Sequence, residues 1–141
     1  MGFKFIEHTA DVVIEAWGET LERAFENAAR ATFEVMTDTS RVEPRVGREI
    51  EVEGFDLENL LLRWIEELLL LFDSENLLLG EFKVERIAET QEGYRLNATV
   101  RGERFNSEKH ESRTHVKAVT YAQMKIWKEN YTWRVRFTLD I

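Results

Sequence analysis

The chain is expected to fold as an α+β domain, a mainly antiparallel β-sheet packed with two main α-helices. Three observations lead there. Period-two alternation recurs in short runs, two longer segments carry helical spacing, and strands and helices follow one another in an order that suits a mainly antiparallel sheet. A length of 141 residues fits one domain, 1–141, with one substantial core.

Residues 3–7 alternate as a half-buried strand does, and residues 12–18 read as a second strand with Val12, Ile14 and Ala16 on one face. Thr20 is placed to cap a helix running to about Met36, with Leu21, Phe25, Ala28, Thr32 and Val35 in one stripe. Glu22, Glu26, Arg30 and Glu34 are expected to face away from that stripe, with Glu26 and Arg30 as an i, i+4 pair. A turn-rich connection holds the only proline, Pro44. Residues 48–53 form a third strand, and Asp56 is expected to cap a second helix of about four turns. That helix is apolar all round from Leu68 to Phe72, so it needs cover on more than one side, or else offers a docking surface.

Residues 81–87 and 94–101 read as a hairpin turned at Gly93. Residues 102–114 lack periodicity and are long for a connection, a feature of functional or mobile loops. Residues 116–121 fit either a helical turn or an extended piece. Residues 124–127 and 131–139 close the chain as a hairpin across 128–130. There Tyr131, Trp133, Val135, Phe137, Leu139 and Ile141 share one face; Thr132, Arg134, Arg136, Thr138 and Asp140 share the other.

Composition narrows the chemistry. There is no cysteine, which excludes disulfides, zinc–thiolate sites and cysteine nucleophiles, and suits a reducing cytoplasm. A net charge of −8 argues against holding nucleic acid by a broad basic face. The N-terminus MGFKFIEH has neither a signal-peptide core nor a myristoylation pattern, since Ile6 stands where Ser or Thr is needed. The apolar run 57–72 contains Arg63, Glu66 and Glu67, which argues against a membrane span. Nucleophile-elbow, phosphate-loop, dinucleotide and HExxH patterns are all missing, so no self-sufficient catalytic apparatus is expected.

Two aspartates invite a different reading. Asp11 opens the second strand, and Asp140 nearly closes the last, one residue before the terminal carboxylate of Ile141. If those strands are neighbours, three carboxylates converge, which repel unless a proton or cation intervenes. Oxygen-only ligation favours calcium, magnesium or manganese over zinc. Spacing alone favours solvated turn residues over a metal site. His8 and Thr9 are read as closing the turn between the first two strands. Arg104, Lys109, Arg113 and Lys117 gather about the long loop, either as an anion site or as a solvated mixed-charge surface with Glu103, Glu108 and Glu111.

The stretches HTADVVIEAWGETLERAFENAARATFEVMTDTSRVEP, EVEGFDLENLLLRWIEELLLLFD, GERFNSEKH, VKAVTYAQMKI and the closing LDI resemble, in order and along essentially the whole chain, the archease family. The resemblance implies an activator of the tRNA-splicing RNA ligase rather than an enzyme. Archeases promote guanylylation of the ligase's active-site histidine and so sustain multiple turnover. It also implies a divalent-metal site, most readily calcium, built from Asp11, Asp140 and the terminal carboxylate of Ile141. Lys109 and Lys117 are candidate contacts to the ligase or to phosphate, with nucleotide or RNA touched only inside the ligase complex. Asp38 and Asp73 also match family positions, whereas His115 stands where the family pattern carries an acid. Two rival classes are a metal-dependent phosphoester hydrolase and a general chaperone or scaffold using residues 68–72.

Overall fold

A computed structural model describes residues 2–7 and 10–141. His8 and Thr9, expected to close the first turn, lie outside the described residues. Seven strands and two long helices form the α+β fold expected from the sequence, and the strands divide into two antiparallel sheets. The first sheet has the order β1 (Phe3–Glu7), β2 (Asp11–Gly18), β7 (Thr132–Asp140), β6 (Ala118–Glu129). The second has β3 (Val46–Gly54), β5 (Gly93–Arg104), β4 (Leu77–Thr90).

Both helices touch both sheets. Helix α1 (Leu21–Met36) packs on β2 and β7 of one sheet and β4 of the other; α2 (Leu57–Glu75) packs on β6 and on β3, β5 and β4. Thr20 caps α1, its hydroxyl accepting from the Arg23 N–H at 3.1 Å, and Asp56 caps α2 by accepting from the Asn59 N–H at 2.7 Å. Asn76, left-handed at φ 57°, ends α2, which is longer than the four turns expected. Trp64 is fully buried between the helices and donates its indole N–H to the Phe25 carbonyl at 3.0 Å. This is how α2 is covered: Leu68, Leu69 and Leu71 are buried, while Leu70 stays 55% exposed.

The polar face of α1 does not turn to solvent as expected. It docks on β4, the edge of the second sheet, whose pairing with β5 slips between Leu79 and Glu81 and again between Val84 and Arg86. Glu26 accepts from the Val84 N–H at 2.8 Å and Glu22 from the Ile87 N–H at 3.3 Å; Arg23 and Arg30 donate to the Val84 and Gly80 carbonyls. Edge groups that would otherwise template aggregation are thereby satisfied. The expected Glu26–Arg30 pair is replaced by Arg23–Glu26 at 2.8 Å, because Arg30 reaches the strand instead.

Strand β4 begins at Leu77, not 81, since Leu77 to Gly80 are buried and pair with the end of β5. The β4–β5 hairpin turns as expected at Gly93, whose φ of +145° and 2.1 Å clearance to the Gly54 carbonyl exclude any side chain. The ambiguous stretch before β6 is extended, with Val116 buried and the strand starting at Ala118. The final hairpin turns at Asn130 and Tyr131, both at positive φ, so Tyr131 belongs to the turn and is 90% exposed instead of sharing the inward face.

Candidate metal centre and neighbouring cleft

Strand β7 lies between β2 and β6, and this brings Asp11, at the start of β2, beside the last residues of the sequence. The β2–β7 register pairs Asp11 with Asp140, Val12 with Leu139 and Ile14 with Phe137. Leu139 and Phe137 are fully buried and Ile141 packs half-buried against the same core, so apolar anchoring fixes the register of the strand that carries Asp140. Asp140 is held from the other side too: it is registered with Ala118 of β6, and its carbonyl accepts from the Lys117 N–H at 2.8 Å.

Directly opposed residues in an antiparallel pair project from the same face about 5 Å apart at Cβ, where like charges destabilise. Asp11 and Asp140 are such a pair. Asp140 is exposed, but Oδ1 of Asp11 is buried and has no hydrogen-bond partner among the described residues. A buried carboxylate oxygen without a donor is costly, and a hard cation answers both that oxygen and the facing anion. The residues present therefore fit a divalent cation with oxygen ligands: Asp11, Asp140 and the terminal carboxylate one residue on. Among the described residues no group of three or more His, Asp or Glu side chains is arranged to hold a metal, so the terminal carboxylate is needed to make a third donor.

Beside this rim a cleft of about 430 Å³ opens between α2 and the start of β6. Arg63, Glu66, Leu70 and Asp73 line it from the helix, and Lys117 and Val119 from the strand. The spacing 63, 66, 70, 73 is one helical face, a signal present in the sequence but masked there by the surrounding leucines. Lys117 is exposed and lies next to Asp140 through its backbone.

Lys109 sits elsewhere, in an internal network. Its ammonium bridges Glu103 at 2.8 Å and Glu43 at 3.2 Å. Glu103 is buried on β5 and also accepts from the Glu43 N–H at 2.8 Å and from Nε2 of the buried His110 at 3.0 Å. Nδ1 of His110 accepts from the Asn106 N–H, which leaves the ring proton on Nε2. Burial would push the Glu103 carboxyl up, but these donors outweigh it and hold it at about 2. Farther along the same loop the Arg113 N–H and Thr114 N–H donate to the Met36 and Val35 carbonyls, and the Arg113 side chain pairs with Glu34 and Glu111. Lys109 and Arg113 are thus spent on separate acidic partners, so these two do not converge on one anion site. Asp38 accepts from the Ser40 hydroxyl and N–H, which lowers its pKa and starts the short 3-10 turn Thr39–Arg41. His115 is exposed on the loop.

Fold and site together define a class: small α+β proteins in which two helices pack against two antiparallel sheets and the start of the second strand lies beside the end of the last. Residues 3–141 match the model of the Archease protein family (MTH1598/TM1083). The archease of Aeropyrum pernix is 54% identical over 140 residues, covering 99% of this chain and 97% of that protein. The solution structure of Methanobacterium thermoautotrophicum protein 1598 is 42% identical, covers 99% of both chains and superimposes with a TM-score of 0.85. The crystal structure of a Thermotoga maritima archease, described as a possible chaperone, shares the fold at 22% identity and a TM-score of 0.63. This chain belongs to the archease family.

Proposed function

We propose that this protein activates a tRNA-splicing RNA ligase, promoting guanylylation of the ligase's active-site histidine for repeated turnover, and carries out no reaction of its own. Family membership supports the reading, and the observation that carries it is the unpartnered buried oxygen of Asp11 opposite Asp140 at the C-terminal strand. A divalent cation held by Asp11, Asp140 and the Ile141 carboxylate, calcium first and magnesium or manganese otherwise, would supply positive charge at a rim that is acidic without it. The chain's own part is positional. Leu139 and Ile141 anchor the last strand, Lys117 N–H fixes the Asp140 main chain, and the adjoining cleft offers Arg63 and the Lys117 ammonium to a partner or a phosphate.

Lys117 is the better candidate of the two lysines, because Lys109 already serves Glu103 and Glu43. The absence of cysteine supports a cytoplasmic setting, and no helix among the described residues is long and apolar enough to cross a membrane. The chaperone reading loses its apolar surface, since of Leu68 to Leu71 only Leu70 is exposed. Multiple-turnover RNA ligation by the partner ligase tests the proposal. Asp11→Ala, Asp140→Ala and a chain ending at Asp140 should each lose stimulation while keeping the wild-type circular dichroism. Full stimulation by all three would end it.

A further inference from the structure

The helices cover one face of the sheet β1–β2–β7–β6, and the opposite face carries two cross-strand rows of aromatic and charged side chains. In the first row Trp17 of β2 and Trp127 of β6 are both registered to Arg134 of β7. The Arg134 guanidinium lies 5.2 Å from the Trp17 ring centre. In the next row Lys4, Glu15, Arg136 and Lys125 are registered across all four strands. Arg136 and Lys125 both lean over Trp127, at 5.6 and 4.8 Å.

The charge of these rows opposes that of the whole chain. Four cations, Lys4, Lys125, Arg134 and Arg136, meet two carboxylates, Glu15 and Glu129, on a protein of net charge −8. Glu15 is shared between Arg136 at 3.4 Å and Lys4 at 3.7 Å. Glu129 accepts from the Trp127 indole and comes no nearer to Arg134 than 3.8 Å. Among the described residues the Arg134 guanidinium therefore has no hydrogen-bond acceptor, its Nε is buried without one, and Lys125 has no carboxylate in ion-pair range. Both tryptophans are half-buried, and each carries a cation over its ring.

We propose that this face binds single-stranded RNA, its bases stacking on the Trp17–Arg134–Trp127 row and its phosphates meeting Arg134, Arg136 and Lys125. Rigid aromatic faces alternating with cations on an open sheet are what sequence-tolerant single-strand binding uses. A duplex would need a broader basic surface than four cations supply. RNA is chosen over DNA on the strength of the ligase reading above. The same outward alternation of β7, through Arg134, Arg136 and Thr138, leads to Asp140, about 13 Å beyond Arg136. Between them Thr138 is buried and donates its hydroxyl to the Ala122 carbonyl, so the open part of the face ends at Arg136.

Titration of a fluorescein-labelled ten-nucleotide RNA into the full chain, read by anisotropy and tryptophan quenching, tests the inference; DNA of the same sequence and a poly-glutamate peptide are the controls. Salt-sensitive RNA binding is expected, weakened about tenfold by Trp127→Leu. The exposed variant Lys125→Gln should flatten the slope of log affinity against log salt by about 0.7. Asp11→Asn should bind RNA as wild type does, so loss of ligase stimulation in that variant bears on the metal rim and not on this face. RNA affinity absent, or unmoved by both Trp127→Leu and Lys125→Gln, would overturn the proposal. So would equal binding of the DNA, or displacement of RNA by the acidic peptide.

Discussion

Asp11 and Asp140 are a directly opposed pair in the β2–β7 ladder, and Oδ1 of Asp11 is buried there without a donor among the described residues. The arrangement is unfavourable in isolation, because facing carboxylates repel and a buried acceptor goes unpaired. The surrounding packing nevertheless enforces it: Ile14 and Phe137 pair three residues inward and are fully buried, and a slip by one residue would turn both out of the core. The core therefore sets the geometry of the rim and holds the two carboxylates face to face.

Calcium should accordingly raise the thermal midpoint of the wild-type protein. At a hundredfold excess over the dissociation constant the gain is about 2.7 kcal/mol, or roughly 5 to 10 °C for a chain of this size. Asp11→Asn removes one anion of the pair. In chelator it should be as stable as wild type or better, by up to about 1 kcal/mol, and it should lose most of the calcium response. Differential scanning calorimetry with calcium and with chelator measures both effects. An identical calcium shift in the two proteins would count against the site.

The edge of the second sheet gives another expectation. Glu26 supplies the acceptor for the Val84 N–H at the point where β4 slips against β5. Glu26→Ala should cost about 1 to 2 kcal/mol, because the N–H is left without a partner and Arg23 loses its ion pair. Amide exchange localises the effect. Val84 should exchange faster by a larger factor than the central-strand amide of Val100, whereas uniform acceleration would point to global destabilisation alone.

How far the sequence disclosed this structure depends on the range of the interactions. Both helices, their caps at Thr20 and Asp56, and the alternation of β7 follow from local periodicity and side-chain chemistry, and apart from the longer α2 and the displaced Tyr131 they stand where expected. The pairing of Asp11 with Asp140 was legible only as a conditional, since the 128 residues between them carry no local sign of which strands become neighbours. The role of Glu22 and Glu26 was hidden for a related reason. A helix pattern marks which side chains avoid the core, but not whether a bulged edge strand waits on that side. His110 and Glu103 looked like parts of a solvated loop; their burial arises from the loop folding back on β5, which hydropathy does not record.

Turn chemistry accounts for one error and yields a prediction. Asn130 and Tyr131 occupy the two positive-φ positions of the β6–β7 hairpin, at 50° and 66°. Asparagine suits that geometry, but an aromatic residue does not, and the unbroken alternation through Tyr131 pointed to a strand there. Because Tyr131 is almost wholly exposed, it returns little packing for that conformation. Tyr131→Gly should stabilise the protein by about 1 kcal/mol in urea denaturation, with the slope of the transition unchanged. A loss of stability would show that the ring makes contacts outweighing its backbone strain.

The buried Glu103 network predicts how stability depends on acid. Burial works against the carboxylate, but the Glu43 N–H, Lys109 and His110 together hold its pKa at about 2, below the ordinary 4.5. A carboxyl depressed in the folded state contributes stability that is fully present above its unfolded value and is lost as pH falls toward the folded one. Glu103→Gln keeps the shape but gives up the charge, and at pH 7 should cost about 2 kcal/mol. That difference from wild type should hold down to about pH 5, shrink between pH 4.5 and pH 2, and nearly vanish below. Comparing the two proteins cancels the carboxylates they share, so urea unfolding at pH 7, 4 and 2.5 isolates this one group. A difference independent of pH would mean that Glu103 acts through packing alone, and that Lys109 and His110 are not held in place by its charge.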